Sequence, residues 1–293
     1  MVVTAQGSLQ PWALQKPWWK KALALWTYEG ANLKGAACLR AVADAEVADY
    51  RRRGLRQPIT VIPNGILIEW ITAEADGQRS RVQLGLLEGR PLALFLSRIT
   101  PKKGLPMLVQ AAAALREWLG NWLFVIAGKD EFGHQRELTR LIHELGMQKY
   151  FRFVGALYGK QKRDVFAASD LFVLPTHSEG APIAILEALG AGLPVLTTKG
   201  APWPQLVEHN CGWWTEISAG AIQQALDEAL SKSRDQLCVM GARGQELVRT
   251  EYLWKESAWK TVQLYQWVRG KRTHARFYPF QLTNLVAEWA NTC

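Results

Sequence analysis

From residue 92 to residue 198 the chain repeats one pattern. A run of four to six apolar residues gives way to a short polar loop carrying glycine or proline. A segment with apolar residues at helical spacing follows. The spacing predicts strands at 92–97, 123–127, 151–154, 171–174 and 194–198. Helices are predicted at 104–119, with Pro106 in the first turn, at 135–145, at 160–168, from Pro182 onward, and briefly at 204–209. Gly212-Trp213-Trp214 reads as an edge strand, and helices fill 219–268. The strands are apolar at most positions, which is the pattern of a parallel sheet buried on both faces. Strand–helix alternation of this kind predicts an α/β fold with a doubly wound parallel sheet, whose ligands bind at the carboxyl ends of the strands.

The first third is sparser. A strand at 1–5, a turn at Gln6-Gly7, a helix at 17–33, a strand at 36–42, a helix at 45–53 stopped by Gly54 and a strand at 58–62 closed by Pro63-Asn64-Gly65 are predicted. The stretch 68–90 is more polar and lacks a steady period. The organisation expected is therefore a partial Rossmann-like domain over 1–75, a complete one over 76–252, and a helix with a basic tail over 253–293 that packs back toward the first part.

Composition narrows the class. The chain has 293 residues, 48% of them hydrophobic and 21% charged, which describes a soluble globular protein. No apolar run reaches membrane-spanning length, and the start has no basic stretch leading into an apolar one, so a cytoplasmic protein is expected. Cys38, Cys211, Cys238 and Cys293 are scattered and suggest reduced thiols, not a metal framework. The net charge of +9 resides at the two ends, +5 over residues 1–60 and +4 over 249–293, while the middle balances. No nucleic acid is therefore expected at the middle region. Residues 17–26 interleave Trp with Lys, a pattern that suits either an anionic membrane surface, with peripheral attachment, or a Trp-rich core helix with a basic outer face.

Candidate chemistry lies in the loops after the strands. Arg98 and Lys103 stand five apart just before a helix, a placement suited to a diphosphate. Gly128 follows the next strand, where a ligand could approach the backbone. The stretch 175–192 carries Glu179 at a helix mouth and Glu187 within the helix. Eight helical residues span about 12 Å and turn through about 80°, so these two carboxylates cannot share a proton or a metal. They can hold two parts of an elongated ligand lying across a helix N-terminus. His134, His143 and His209 read as surface residues, and His177 alone is near the site. No nucleophile elbow, Walker loop, His/Cys cluster or Asp-x-Asp pair is present, so no metal or other cofactor is expected.

The ordered set Ser97-Arg98, Lys103-Gly104, Ile126-Ala127-Gly128, Asp170 to Pro175, Glu179 through Glu187 and Gly192-Leu193-Pro194-Val195 resembles the retaining glycosyltransferases of family 4, whose hallmark is E-x7-E. The resemblance covers about residues 60–215 and implies a GT-B arrangement of two Rossmann-like domains, the first of them incomplete here. Arg98 and Lys103 would then hold the donor diphosphate and stabilise the departing nucleotide. Glu187 would accept from ribose hydroxyls and Glu179 would grip the transferred sugar, so Arg98, Lys103 and Glu179 are the catalytic candidates. Backbone amides of Gly180, Ala181 and Ile183 would face sugar or phosphate. The implied partners are a nucleotide-sugar and a glycan or lipid-linked acceptor in polysaccharide or lipopolysaccharide synthesis. A catalytically silent nucleotide-sugar-binding remnant is the alternative, because strand–helix pairs usual before Met1 are missing and Gln6 stands where relatives often show His or Arg.

Overall fold

The structure, a computed structural model, describes residues 1–9, 23, 25–86 and 89–270. The chain divides into two compact units, one of residues 1–65 and 254–293 and one of residues 66–253. The Trp/Lys-rich segment 17–26 falls mostly outside the described residues, as do Cys293 and the basic tail.

In the first unit a three-stranded parallel sheet runs β1 (Val2–Thr4), β2 (Cys38–Ala41), β3 (Ile59–Val61) in that order. Between β1 and β2 lie a π-turn at Leu25–Glu29 and α1 (Gly30–Lys34), and α2 (Asp44–Arg52) joins β2 to β3. The predicted helix at 17–33 is thus described only over its last part. Leu39, Ala41, Tyr50, Leu55 and Ile59 form a small core. Its polar edge is tightly organised. Buried Glu46 accepts from the N–H groups of Gly7 (2.6 Å) and Val42 (2.8 Å), and the Tyr50 hydroxyl bridges the Ala5 N–H and the Arg40 carbonyl. One carboxylate therefore ties the turn after β1 to the turn after β2.

The second unit opens with α3 (Glu69–Thr72) and α4 (Gly77–Gln83). It continues as β4 (Leu92–Leu96), α5 (Leu105–Ala114), β5 (Leu123–Ala127), α6 (His134–Glu144), β6 (Phe151–Gly155), α7 (Gly159–Ala167) and β7 (Leu171–Leu174). Then come α8 (Ile183–Gly190), β8 (Val195–Thr198), α9 (Gln205–Glu208), β9 (Gly212–Thr215), α10 (Ala219–Leu230) and α11 (Arg234–Glu251). All its strands are parallel, in the order β6-β5-β4-β7-β8-β9. That is the doubly wound order, with the winding direction reversing between β4 and β7. β4, β5 and β7 are buried nearly throughout, as continuous apolar strands between two helix layers must be. α12 (Trp254–Val268) belongs to the first unit, where Leu264 packs with Cys38 and Ile62 and the Ser257 hydroxyl donates to the Pro63 carbonyl (2.8 Å).

Two expectations are corrected. His134 is not a surface residue: it is buried at the start of α6, with Nδ1 2.8 Å from Glu137 Oε2. Pro182 sits at the N-cap of α8, with ψ 110°, and not in the first helical turn. The ring tolerates either place, and the extended ψ turns the chain sharply from the loop into the helix. Among the described residues no helix is long and apolar enough to cross a membrane.

Candidate active site

The switch point between β4 and β7 opens a crevice at the carboxyl end of the sheet, and the candidate residues meet there. After β4, residues 97–104 run along the loop that follows β5. The Ile99 N–H donates to the Lys129 carbonyl and the Glu131 N–H to the Ile99 carbonyl (2.9 and 3.1 Å). The loop ends in a 3-10 turn, Pro101–Lys103, which delivers Lys103 into a buried position. Gly104 then takes φ +68°, and a β-carbon on it would lie 1.9 Å from the Pro175 carbonyl oxygen. Only glycine allows the loops after β4 and β7 to touch here. Gly128 plays the same part beside Ser97, whose carbonyl oxygen lies 1.8 Å from where a β-carbon would stand. Backbone packing accounts for glycine at this place.

The loop after β7 is stitched on both sides. The His177 N–H and the Thr176 hydroxyl donate to the Lys102 carbonyl (2.9 and 3.1 Å), and the Glu179 N–H donates to the Gly200 carbonyl at 2.6 Å. Glu179 is thereby held before α8, where Lys103 Nζ reaches its Oε1 at 2.5 Å and the Thr176 hydroxyl lies at 3.3 Å from the same oxygen. The N–H groups of Gly180 and Ala181 donate to no backbone acceptor among the described residues. They stand ahead of the N-terminus of α8, whose own first N–H groups include that of Ile183. The crevice thus has fixed donors and a positive helix end beside the Lys103–Glu179 pair.

Arg98 and Glu187 flank this centre in different ways. Arg98 is mostly exposed and lies against Glu131, 3.0 Å from Oε2. Glu187 is buried within α8, and burial pushes its carboxyl above the ordinary value while Lys162 pulls it back down. Lys162 Nζ is 2.6 Å from the carboxylate oxygens. Lys162, Thr176 and Glu131 escape a reading of the sequence alone. Lys162 sits in a polar helical stretch without local peculiarity, and only the crossover that lays α7 beside α8 brings it to Glu187. His177 contributes its backbone N–H, His143 lies on α6, and His209 caps the C-terminus of α9. A cavity of about 920 Å³ lies elsewhere, along β9 between α10 and α11, and shares none of the candidate residues.

Comparison with known proteins gives the family. Residues 76–246 match the family described as glycosyl transferases group 1. The chain is 31% identical over 191 residues to the GDP-mannose-dependent alpha-(1-6)-phosphatidylinositol monomannoside mannosyltransferase of Mycobacterium tuberculosis, a match covering 62% of this chain and 48% of that one. It is 29% identical over 205 residues to the lipopolysaccharide glucosyltransferase WaaG of Escherichia coli, covering 68% of this chain and 53% of the relative. The chain thus spans about half the length of the curated relatives it matches. Among solved structures, WaaG superposes with a TM-score of 0.74 at 23% identity, covering 92% of this chain and 75% of that one. The Anabaena protein HepE, in complex with UDP and glucose, gives 0.78 at 21% identity, covering 90% and 71%. These likenesses establish an α/β fold of the GT-B type, with a doubly wound sheet in the second unit and three parallel strands in the first. With more than half of its residues matched, the chain belongs to the glycosyl transferases group 1 family.

Proposed function

We propose that this chain carries the donor half of a retaining, metal-independent hexosyltransferase that uses a nucleotide-sugar and acts in polysaccharide or lipopolysaccharide assembly. The observation that carries this reading is the convergence at one switch point of Lys103, Glu179, the open amides of Gly180 and Ala181, and the α8 N-terminus, with Arg98 and Glu187 at its flanks. Relatives named as lipopolysaccharide and colanic acid glycosyltransferases support the setting.

In this reading the donor diphosphate lies over the α8 N-terminus. Arg98 swings from Glu131 to meet it, and Lys103 shares its charge between Glu179 and the phosphate. Glu187 accepts from the ribose hydroxyls, and Glu179 from hydroxyls of the transferred sugar. The C1–O bond to the phosphate breaks as the acceptor oxygen bonds to C1 on the same face. The acceptor proton passes to the departing phosphate oxygen, and the nucleoside diphosphate leaves. Two cations and a helix dipole, preorganised where that negative charge develops, lower the barrier.

The test is calorimetric binding of UDP-, GDP- and ADP-sugars to the wild type and to Arg98→Ala and Glu187→Ala. Both variants should lose at least about tenfold in affinity, the worth of one hydrogen bond to a charged group. Unchanged affinity would sink the site assignment. Binding without detectable sugar transfer would favour a silent donor-binding module instead.

A further inference from the structure

Glu187 lies in α8 with its side chain 9% exposed, and Lys162 of α7 lies against it, 24% exposed. The ammonium is 2.6 Å from both carboxylate oxygens but donates in good geometry to Oε1. Oε2 is buried against the same ammonium, with no aligned hydrogen-bond donor within the described residues. The ammonium is itself restrained: it sits 5.4 Å from the ring centroid of Trp70, and that ring packs edge-on against Phe166, one turn along α7. Trp70 in turn lies against the backbone of α8 at Gly190, where a β-carbon would come within 3.3 Å of the Trp70 β-carbon. Three helices, α3, α7 and α8, thus fix one cation on one carboxylate.

We propose that Lys162 is a positioning residue: it clamps the Glu187 carboxylate and holds it in one rotamer as the acceptor for a ribose hydroxyl. This inference rests on the nucleotide-site reading above. Its physical content is that neither α8 nor burial can supply the clamp. Burial alone favours the neutral carboxyl, which carries a proton and has less capacity to accept. Lys162 opposes that effect and fixes the rotamer at the same time. The tryptophan face keeps the ammonium from straying toward solvent. The diphosphate end of the ligand depends on other residues, Arg98 and Lys103, so the two ends can be tested apart.

The experiment is calorimetric titration of the full chain with UDP, GDP and ADP, with their 2′,3′-dideoxy counterparts, and with inorganic pyrophosphate. The wild type should prefer the ribo form of its nucleotide at least about tenfold, the worth of hydrogen bonds to a charged acceptor. Lys162→Met should reduce that preference to within about twofold while pyrophosphate affinity stays unchanged. Glu187→Gln should do the same, and the double variant should be no worse than either single one, as expected for residues acting as one unit. If Lys162→Met also loses pyrophosphate binding, Lys162→Gln takes its place under the same criteria. A variant that binds pyrophosphate normally and keeps the wild-type ribo preference overturns the role given to Lys162 and leaves the nucleotide site standing. A wild type with no ribo preference overturns the nucleotide-site reading, and this inference with it.

Discussion

Arg98 and Lys103 stand five residues apart on one loop, yet their surroundings give them opposite energetics. The Arg98 side chain is 64% exposed and its partner Glu131 is 26% exposed, so their ion pair is screened and contributes little. The Lys103 and Glu179 side chains are 8% and 14% exposed, so each is held by the other where water helps little. Arg98→Ala should therefore leave stability within about 0.5 kcal/mol of wild type. Lys103→Ala should cost about 3 kcal/mol, because it removes the cation paired with the largely buried Glu179 carboxylate. Urea unfolding of the two variants checks this, and equal losses would contradict the contrast. The sequence shows both cations before a helix, and its chemistry is legible there. Which one is free to move is not, because the burial of Lys103 depends on the loop after β7 that packs against residues 102–104.

At the scale of elements, the site is a set of loops locked together by backbone contacts, with α8 as the anchor. Pro182 at the N-cap ends the loop, and α8 then buries Ile185, Leu186, Ala188 and Leu189 in the core while directing Glu187 sideways to α7. Gly104 is one of the close joints in this assembly. A β-carbon there meets the Pro175 carbonyl oxygen in addition to the strain of φ +68°. Gly104→Ala should thus cost more than about 2 kcal/mol, the upper part of the range for a strained backbone, and weaken pyrophosphate binding with it. Thermal melts and pyrophosphate titration on the same sample check both effects. A stable Gly104→Ala variant with normal pyrophosphate affinity would contradict the close contact. The period and punctuation of the sequence located these strands and helices well. They misjudged the helix end at residue 119, where the regular helix stops at Ala114 and turns continue. They also misplaced His134 as exposed, since a polar residue at a helix start reads the same whether or not the adjacent loop covers it.

For the whole molecule, the resolved carboxyl shifts share a direction. Burial raises Glu46 and Glu187 above 4.5 and Asp49 above 3.8. A carboxyl with a raised folded-state value binds its proton more tightly folded than unfolded. Its contribution to stability is thus fully present below the unfolded value and is lost as pH rises through the folded one. As pH falls through their raised folded-state values, these three groups should make the urea midpoint rise. Nucleotide affinity should decline as Glu187 takes up its proton. A midpoint and an affinity that fall together would contradict this opposition. The thiols of Cys38 and Cys211, pushed by burial to about 11, stay protonated throughout.

The order of apolar runs, the glycine and proline punctuation and the paired glutamates determined the doubly wound sheet and the family, because each is written in local period and spacing. The tertiary structure alone decided which charges meet. Lys103 with Glu179 and Lys162 with Glu187 are separated by 76 and 25 residues, and only the crossovers of a parallel sheet bring such pairs to hydrogen-bonding distance. The reason is geometric. A side chain's identity fixes what it can bind, but its burial and its partner are set by the elements that pack around it.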